Sequence, residues 1–185
     1  PMKKSVMLGI ALSVGIATAT TALQINGETV VTEPYQYGND YYTPEEHYCM
    51  ALNIYHEARA EHLAGQVAVA DVTLNRVKDT RYPNNICNVV YEAQTYTTED
   101  GRTFPRRHKC QFSWYCDGLK DDPKEGRSWD RSRNIAYQYL ENGLHRGITE
   151  GATHYHATYV NPDWASAEGM VLIGRIGEHI FYRWK

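Results

Sequence analysis

An apolar helix that breaks off in a run of ionisable side chains is the strongest constraint in this sequence. Thr43 is a good N-cap, Pro44 suits the first helical position, and Glu46 stands where a capping box wants a carboxylate. Tyr48, Ala51, Leu52 and Tyr55 follow helical spacing, which predicts a helix over 44–60. Its last turns read Asn53-Ile54-Tyr55-His56-Glu57-Ala58-Arg59-Ala60-Glu61. A second helix is predicted over 64–77, with Val67, Ala70, Leu74 and Val77 as its buried stripe and Arg81-Tyr82-Pro83 as its stop. A third over 128–142 carries Ile135, Ala136, Tyr139 and Leu140 and stops at Gly143. Between them, Asp100-Gly101 marks a hairpin turn within 95–104. The tail reads as strands over 152–159, 171–176 and 179–182. Helices first and short strands later predict an α+β fold, one domain over 44–185.

The rest of the chain reads as delivery and stapling. Lys3 and Lys4 precede an apolar run over 5–16, and Ala17-Thr18-Ala19 is a small-residue cleavage site. That run falls short of the roughly 20 residues a spanning helix needs. Residues 1–19 are therefore expected to be a signal peptide, with no stable membrane insertion after cleavage. Residues 20–43 are polar, with Gly, Pro and Asn, and read as a linker or arm. Four cysteines, an even count in an exported chain, favour disulfides over free thiols. Three pairings are open; the short local loop favours Cys110–Cys116 with Cys49–Cys87. The net charge of −3 comes with no basic stripe, which argues against a nucleic-acid partner. Fifteen tyrosines suit a sugar-binding groove, and equally a core with wet edges.

Chemistry concentrates at the end of the first helix. Glu57 lies three residues after Ile54 and four after Asn53, at the edge of the apolar face. A carboxyl half-buried beside rings such as Tyr55 loses hydration, its pKa rises, and it becomes a proton donor near neutral pH. Glu61 is one turn further on and is placed to share the site; the bland alternative is a solvated helix end. The HEARAEH run is not a zincin site, because the residue four after His56 is Ala60 rather than His. His154 and His156 have the spacing of a metal pair, but no upstream His carries an Asp four or seven residues later. No metal and no cofactor are expected. Gln111-Phe112-Ser113-Trp114 reads as a loop able to line a sugar groove, and Thr153-His154-Tyr155-His156 with Asn161-Pro162-Asp163-Trp164 has the same character. There is no Gly-rich phosphate loop and no GxSxG elbow.

Together these segments resemble the cell-wall hydrolases typified by the spore-cortex-lytic enzyme SleB. The matching pieces stand in the family's order: NIYHEARAE (53–61), GQVAVADVTLNRV (65–77), YPNNICNVVY (82–91), QFSW (111–114), GATHYHA (151–157), PDW (162–164) and IGEHIFYR (176–183). The resemblance implies a lysozyme-like helical core with short β-hairpins and a lytic transglycosylase acting on peptidoglycan strands. It makes Glu57, the first Glu of the EAR-x-E motif, the catalytic residue. Glu61, Gln111, Ser113, His154, Tyr155 and Trp164 are expected to contact substrate, with Gln111, Ser113, Tyr155 and Trp164 lining one groove with Glu57. The expected protein is a monomer that works outside the cytoplasm, secreted or periplasmic, at the cell wall. Residues 20–43 are too short for the separate N-terminal peptidoglycan-binding domain of the spore enzymes, so general wall remodelling is expected as readily as a cortex role. Two other readings stay open: a hydrolytic muramidase in which Glu61 or Asp71 helps a water, and a glycan-binding module without activity.

Overall fold

The computed structural model describes the backbone of residues 22–25 and 28–31 and, in full, residues 42–185. The signal-peptide reading of 1–19 lies outside these residues. Strands β1 (Ala22–Ile25) and β2 (Glu28–Val31) pair antiparallel, Ala22 opposite Val31, within a unit of their own over 1–40. This hairpin falls in the stretch read as an arm. Residues 41–185 form the second compact unit.

That unit opens with α1 (Pro44–Ala58), and its capping box forms as the sequence demands. The Glu46 amide donates to the Thr43 hydroxyl at 3.2 Å, and the Thr43 amide donates to the Glu46 carboxylate at 3.0 Å. The helix stops two residues before the expected end. Gln66 Nε2 donates to the Ala58 carbonyl at 3.0 Å, and the Glu61 amide donates to the same carbonyl at 2.9 Å. Those bonds satisfy an end that would otherwise be left open in the interior. Helix α2 (Leu63–Lys78) starts at His62, whose Nδ1 accepts from the Gly65 amide. A short α3 (Ile86–Val90) was not anticipated, because five residues are too few for a helical period to register. The Cys49–Cys87 disulfide bonds it to α1. Helix α4 (Arg127–Asn142) ends at Gly143, whose φ of +66° gives the left-handed cap.

Strands β3 (Ala93–Thr97) and β4 (Thr103–Cys110) form the hairpin around Asp100-Gly101. After the 3₁₀ turn Ser113–Cys116, α4 leads to β5 (His154–Ala157), β6 (Met170–Ile176) and β7 (His179–Trp184). These make an antiparallel sheet in the order β5-β7-β6. The architecture is α+β, as expected.

Helix α1 is buried from Cys49 to Tyr55 and is wrapped by α2, α3 and α4. A smaller cluster of Ala68, Val72, Ala152 and Phe181 seats the three-stranded sheet on α2. One buried polar group joins these layers. Asp71 on α2 accepts from the Tyr139 hydroxyl of α4 at 2.6 Å, from the Gly147 amide at 2.7 Å, and from the Thr149 amide at 3.0 Å and the Thr149 hydroxyl. Burial and the facing Asp71 carboxylate push the Tyr139 hydroxyl far above the ordinary tyrosine range, so it stays a donor. Asp71→Ala would strand four donors away from water, each costing about 1–3 kcal/mol before relaxation. The expected outcome is a loss of about 3 kcal/mol or more, read in urea unfolding as a lower midpoint at unchanged slope.

Candidate active site

The last turn of α1 delivers Glu57 to a cavity of about 810 Å3 shared by the helical layer and the sheet. The sheet side supplies Tyr155 from β5, whose hydroxyl donates to Glu57 Oε2 at 2.9 Å. Burial raises the Glu57 carboxyl above its ordinary value, with the Tyr155 bond and the positive charge of Arg76 acting in the opposite sense. The desolvation effect is the largest of the three, so the group is held toward its protonated form. The Tyr155 ring is fixed edge-on to His179 at 5.0 Å and tilted against Phe181 at 5.6 Å. Its own hydroxyl is pushed well above the ordinary range by burial and by Glu57, so it stays a donor.

Arg76, at the end of α2, is buried and lines the same cavity. Its Nε donates to the Thr153 carbonyl at 2.8 Å, and its guanidinium lies 4.9 Å from the Phe112 ring centre. It thereby ties the approach to β5 and the Gln111–Trp114 segment to one helix. Nη1 has no hydrogen-bond partner.

The helical side is braced by a chain of side chains. Trp114 Nε1 donates to Asn53 Oδ1 at 3.0 Å, and Asn53 Nδ2 donates to the Thr73 hydroxyl at 3.0 Å. Trp114 is thus pinned to α1 and α2. His56 stacks on it at 4.4 Å and donates from Nε2 to the Asp121 carbonyl at 3.0 Å. The Tyr55 hydroxyl accepts from the Lys124 amide at 3.2 Å, which anchors the 117–124 loop as a second wall. The Cys110–Cys116 disulfide brackets Gln111 and Ser113, both exposed into the cavity.

Gln111, Ser113 and Tyr155 therefore share one cavity with Glu57, although they are far apart in sequence. Glu61, His154 and Trp164 do not line it, and for Trp164 this departs from the groove expected above. Glu61 turns toward the sheet and accepts from the Glu178 amide at 3.3 Å. Its side chain fills the space that a Cβ would need at Gly65 and at Gly177, where φ is +60°. It fastens the α1–α2 corner to the β6–β7 turn. His154 lies on the other face of the sheet from Tyr155, because alternate strand residues project oppositely, and Trp164, from the 3₁₀ turn Asp163–Ser166, packs there. There the His154 ring sits 5.4 Å from Trp164 and 5.9 Å from Trp184. Burial, helped by Arg76 and Arg81, lowers the His154 pKa to about 4, so it is neutral at pH 7.

Sequence reasoning passed over Arg76, His56, His179 and the 117–124 loop as wall residues. An Arg near a helix end reads as solvated, and nothing local marks a strand His as facing a cavity. His179 packs on Tyr155, and its pKa is lowered by burial against the opposing influence of Glu61 and Glu178. Among the described residues, no three His, Cys, Asp or Glu side chains converge as a metal site.

A helical core, a small antiparallel sheet and one desolvated carboxyl between them define a lysozyme-like α+β protein. The Cell Wall Hydrolase family model matches residues 60–182, and the chain belongs to that family. Glu57 lies three residues ahead of the matched span. The spore cortex-lytic enzyme of Bacillus subtilis is 29% identical over 136 residues, 71% of this chain and 35% of that protein. The spore cortex-lytic enzyme of Halalkalibacterium halodurans is 30% identical over 145 residues, 76% of this chain and again 35% of the relative. The chain thus spans about a third of the length of these relatives. Among solved structures, the catalytic domain of the germination-specific lytic transglycosylase SleB from Bacillus anthracis superposes with a TM-score of 0.54 at 25% identity, covering 78% of this chain and 98% of that one.

The raised carboxyl has a consequence for stability. The folded state holds the Glu57 proton more tightly than the unfolded chain does, so stability falls as pH rises from about 4.5 through the raised value. Glu57→Gln removes that cost. The variant is expected to melt at or above the parent temperature at pH 8, with the difference vanishing near pH 4, in paired thermal melts.

Proposed function

We propose that the protein is a peptidoglycan lytic transglycosylase that cuts the β-1,4 bond between N-acetylmuramic acid and N-acetylglucosamine. The observation that carries this reading is the buried, protonation-prone Glu57 carboxyl, which lines a cavity wide enough for sugar rings and accepts from the Tyr155 hydroxyl. Membership in the cell wall hydrolase family supports the substrate class, and the fold shared with the SleB catalytic domain supports the reaction class.

In this mechanism the Glu57 carboxylic acid protonates the glycosidic oxygen as the bond to the muramic anomeric carbon breaks. The resulting carboxylate is stabilised by the Tyr155 hydroxyl and by Arg76. It then takes the proton from the muramic 6-hydroxyl, which attacks its own anomeric carbon and closes a 1,6-anhydro ring. The substrate hydroxyl replaces the second carboxylate of an ordinary glycosidase. Gln111 and Ser113 stand in the cavity as hydrogen-bonding partners for sugar hydroxyls and acetamido groups. A hydrolytic muramidase that used Glu61 or Asp71 to activate water is disfavoured, and one that used Asp117, Asp121 or Asp122 of the cavity wall is separated by its products. Glu61 is engaged at the Glu178 amide and Asp71 in the interior, and neither lines the cavity.

Mass spectrometry of digested sacculi tests the outcome. Anhydro-ended muropeptides, one water lighter than the hydrolysed form, are expected, and reducing-end products alone would sink the transglycosylase reading. Glu57→Gln, which keeps shape and removes the transferable proton, should lower turnover by about 100-fold or more; a variant retaining a tenth of the activity would exclude Glu57 as the acid. Tyr155→Phe removes a bond that favours the carboxylate, so the Glu57 pKa rises further. The alkaline limb of the kcat/KM profile should then move to higher pH, by about one unit for a hydrogen bond to a charged group.

A further inference from the structure

Beside the cavity, the β3–β4 hairpin carries a cationic feature that the proposed chemistry does not use. The register runs from Thr95 opposite Pro105 to Ala93 opposite Cys110, so two residue steps on β3 face five on β4. The excess is a bulge made of Arg106, Arg107, His108 and Lys109, all exposed. His108 is held at φ +58°, a conformation that costs a non-glycine residue energy and persists only when the surroundings impose it. The bulge ends on Cys110, which the disulfide to Cys116 fixes at the cavity wall. Bulges of this kind re-aim side chains and recur beside active sites.

The re-aimed side chains are cations without anions. Arg106, Arg107 and Lys109 share a shallow groove of about 480 Å3 with Gln94 and Tyr96. Arg106 is oriented by donating from Nε to the Thr95 carbonyl at 3.2 Å, with its guanidinium 6.0 Å from the Tyr96 ring centre. Among the described residues, none of the three makes an ion pair. The chain as a whole is negative, at −3, so this local excess runs against its average. The groove also runs toward the cavity. A Cβ at Gly118 would lie 4.0 Å from Arg107 Nε, and Asp117 and Leu119 on either side of Gly118 both line the Glu57 cavity.

We infer that the Arg106–Lys109 bulge is a docking surface for the carboxylates of the peptide stem carried by the muramic sugar whose glycan strand lies in the Glu57 cavity. The inference rests on the peptidoglycan reading above. Every muramic residue can bear, through its lactyl group, a short peptide with free carboxylates. A strand threaded past Gln111 would bring such a stem out over Lys109 and Arg107. Arg supplies a planar fork that matches a carboxylate, and Lys a point charge with reach. Exposed charge pairs of this sort act mainly on specificity and encounter, and they weaken with salt.

The test measures co-sedimentation of the full-length Glu57→Gln protein with three substrates: sacculi with intact stems, the same sacculi stripped of stems by an amidase, and sacculi stripped only of phosphodiester-linked polymers by acid. Adding Arg107→Gln and Lys109→Gln should weaken binding to intact sacculi by about fivefold at low salt, and by less at 0.5 M salt. Binding to stem-free strands should be unchanged by the same pair. Arg107→Lys with Lys109→Arg, which keeps the charge, should bind like the parent. An equal loss on stem-free strands, or no loss anywhere, would overturn the inference. So would a charge effect that disappears with the phosphodiester polymers and survives stem removal. If the parent protein binds none of the three substrates, the glycan reading falls and takes this surface with it. If it binds all three without any charge dependence, only the surface falls.

Discussion

The rest of the structure is arranged around a helix that is buried almost all round and must still end in an ionisable group. Helix α1 is wrapped by α2, α3 and α4 along Cys49–Tyr55. A helix so enclosed has no solvent to receive a polar end, so its last carbonyls are met by Gln66 and the Glu61 amide. The same enclosure desolvates Glu57 one residue earlier. Burial that stabilises the core and burial that shifts the carboxyl are one effect of one geometry.

Two carboxylates near that helix illustrate how burial divides labour. Asp71 accepts four hydrogen bonds and serves as the joint between α2, α4 and the chain entering β5. Its charge is fully met, and its role is to hold layers together. Glu57 has one donor, Tyr155, and a cavity on its free side. Its charge is incompletely met, which leaves a proton available. Residue type does not separate the two groups; the number of donors facing each one does.

The sheet contributes through both of its faces. Tyr155 points from β5 toward α1, and Phe181 and His179 on β7 keep its ring in place. On the opposite face, His154, Trp164, Tyr182 and Trp184 make an aromatic layer of their own. Glu61 locks the β6–β7 turn to the α1–α2 corner at a point where only glycine leaves room. It acts on the site by fixing the hairpin that carries His179. Its side chain is not among those that line the cavity.

Much of the fold was legible in the sequence because local signals and global packing agreed. The capping box at Thr43, the apolar stripes of α1, α2 and α4, the stop at Gly143 and the Asp100-Gly101 turn are all short-range chemistry, and each stands where it was expected. Of the three cysteine pairings left open, the one favoured by the short local loop is the one the structure holds. The place of Glu57 at the edge of an apolar helical face was legible from its spacing to Asn53 and Ile54. The partners of that acid were not. Arg76 and His179 are ordinary surface residue types in sequence, and they reach the cavity through packing across long chain separations. Whether His154 or Tyr155 meets Glu57 depends on which face of β5 lies against α1, and strand alternation leaves both choices open until α2 and Phe181 seat the sheet. Local periodicity and capping chemistry therefore set the elements and the position of Glu57 at the end of α1. The identity of its neighbours was set by the docking of layers that no local pattern encodes.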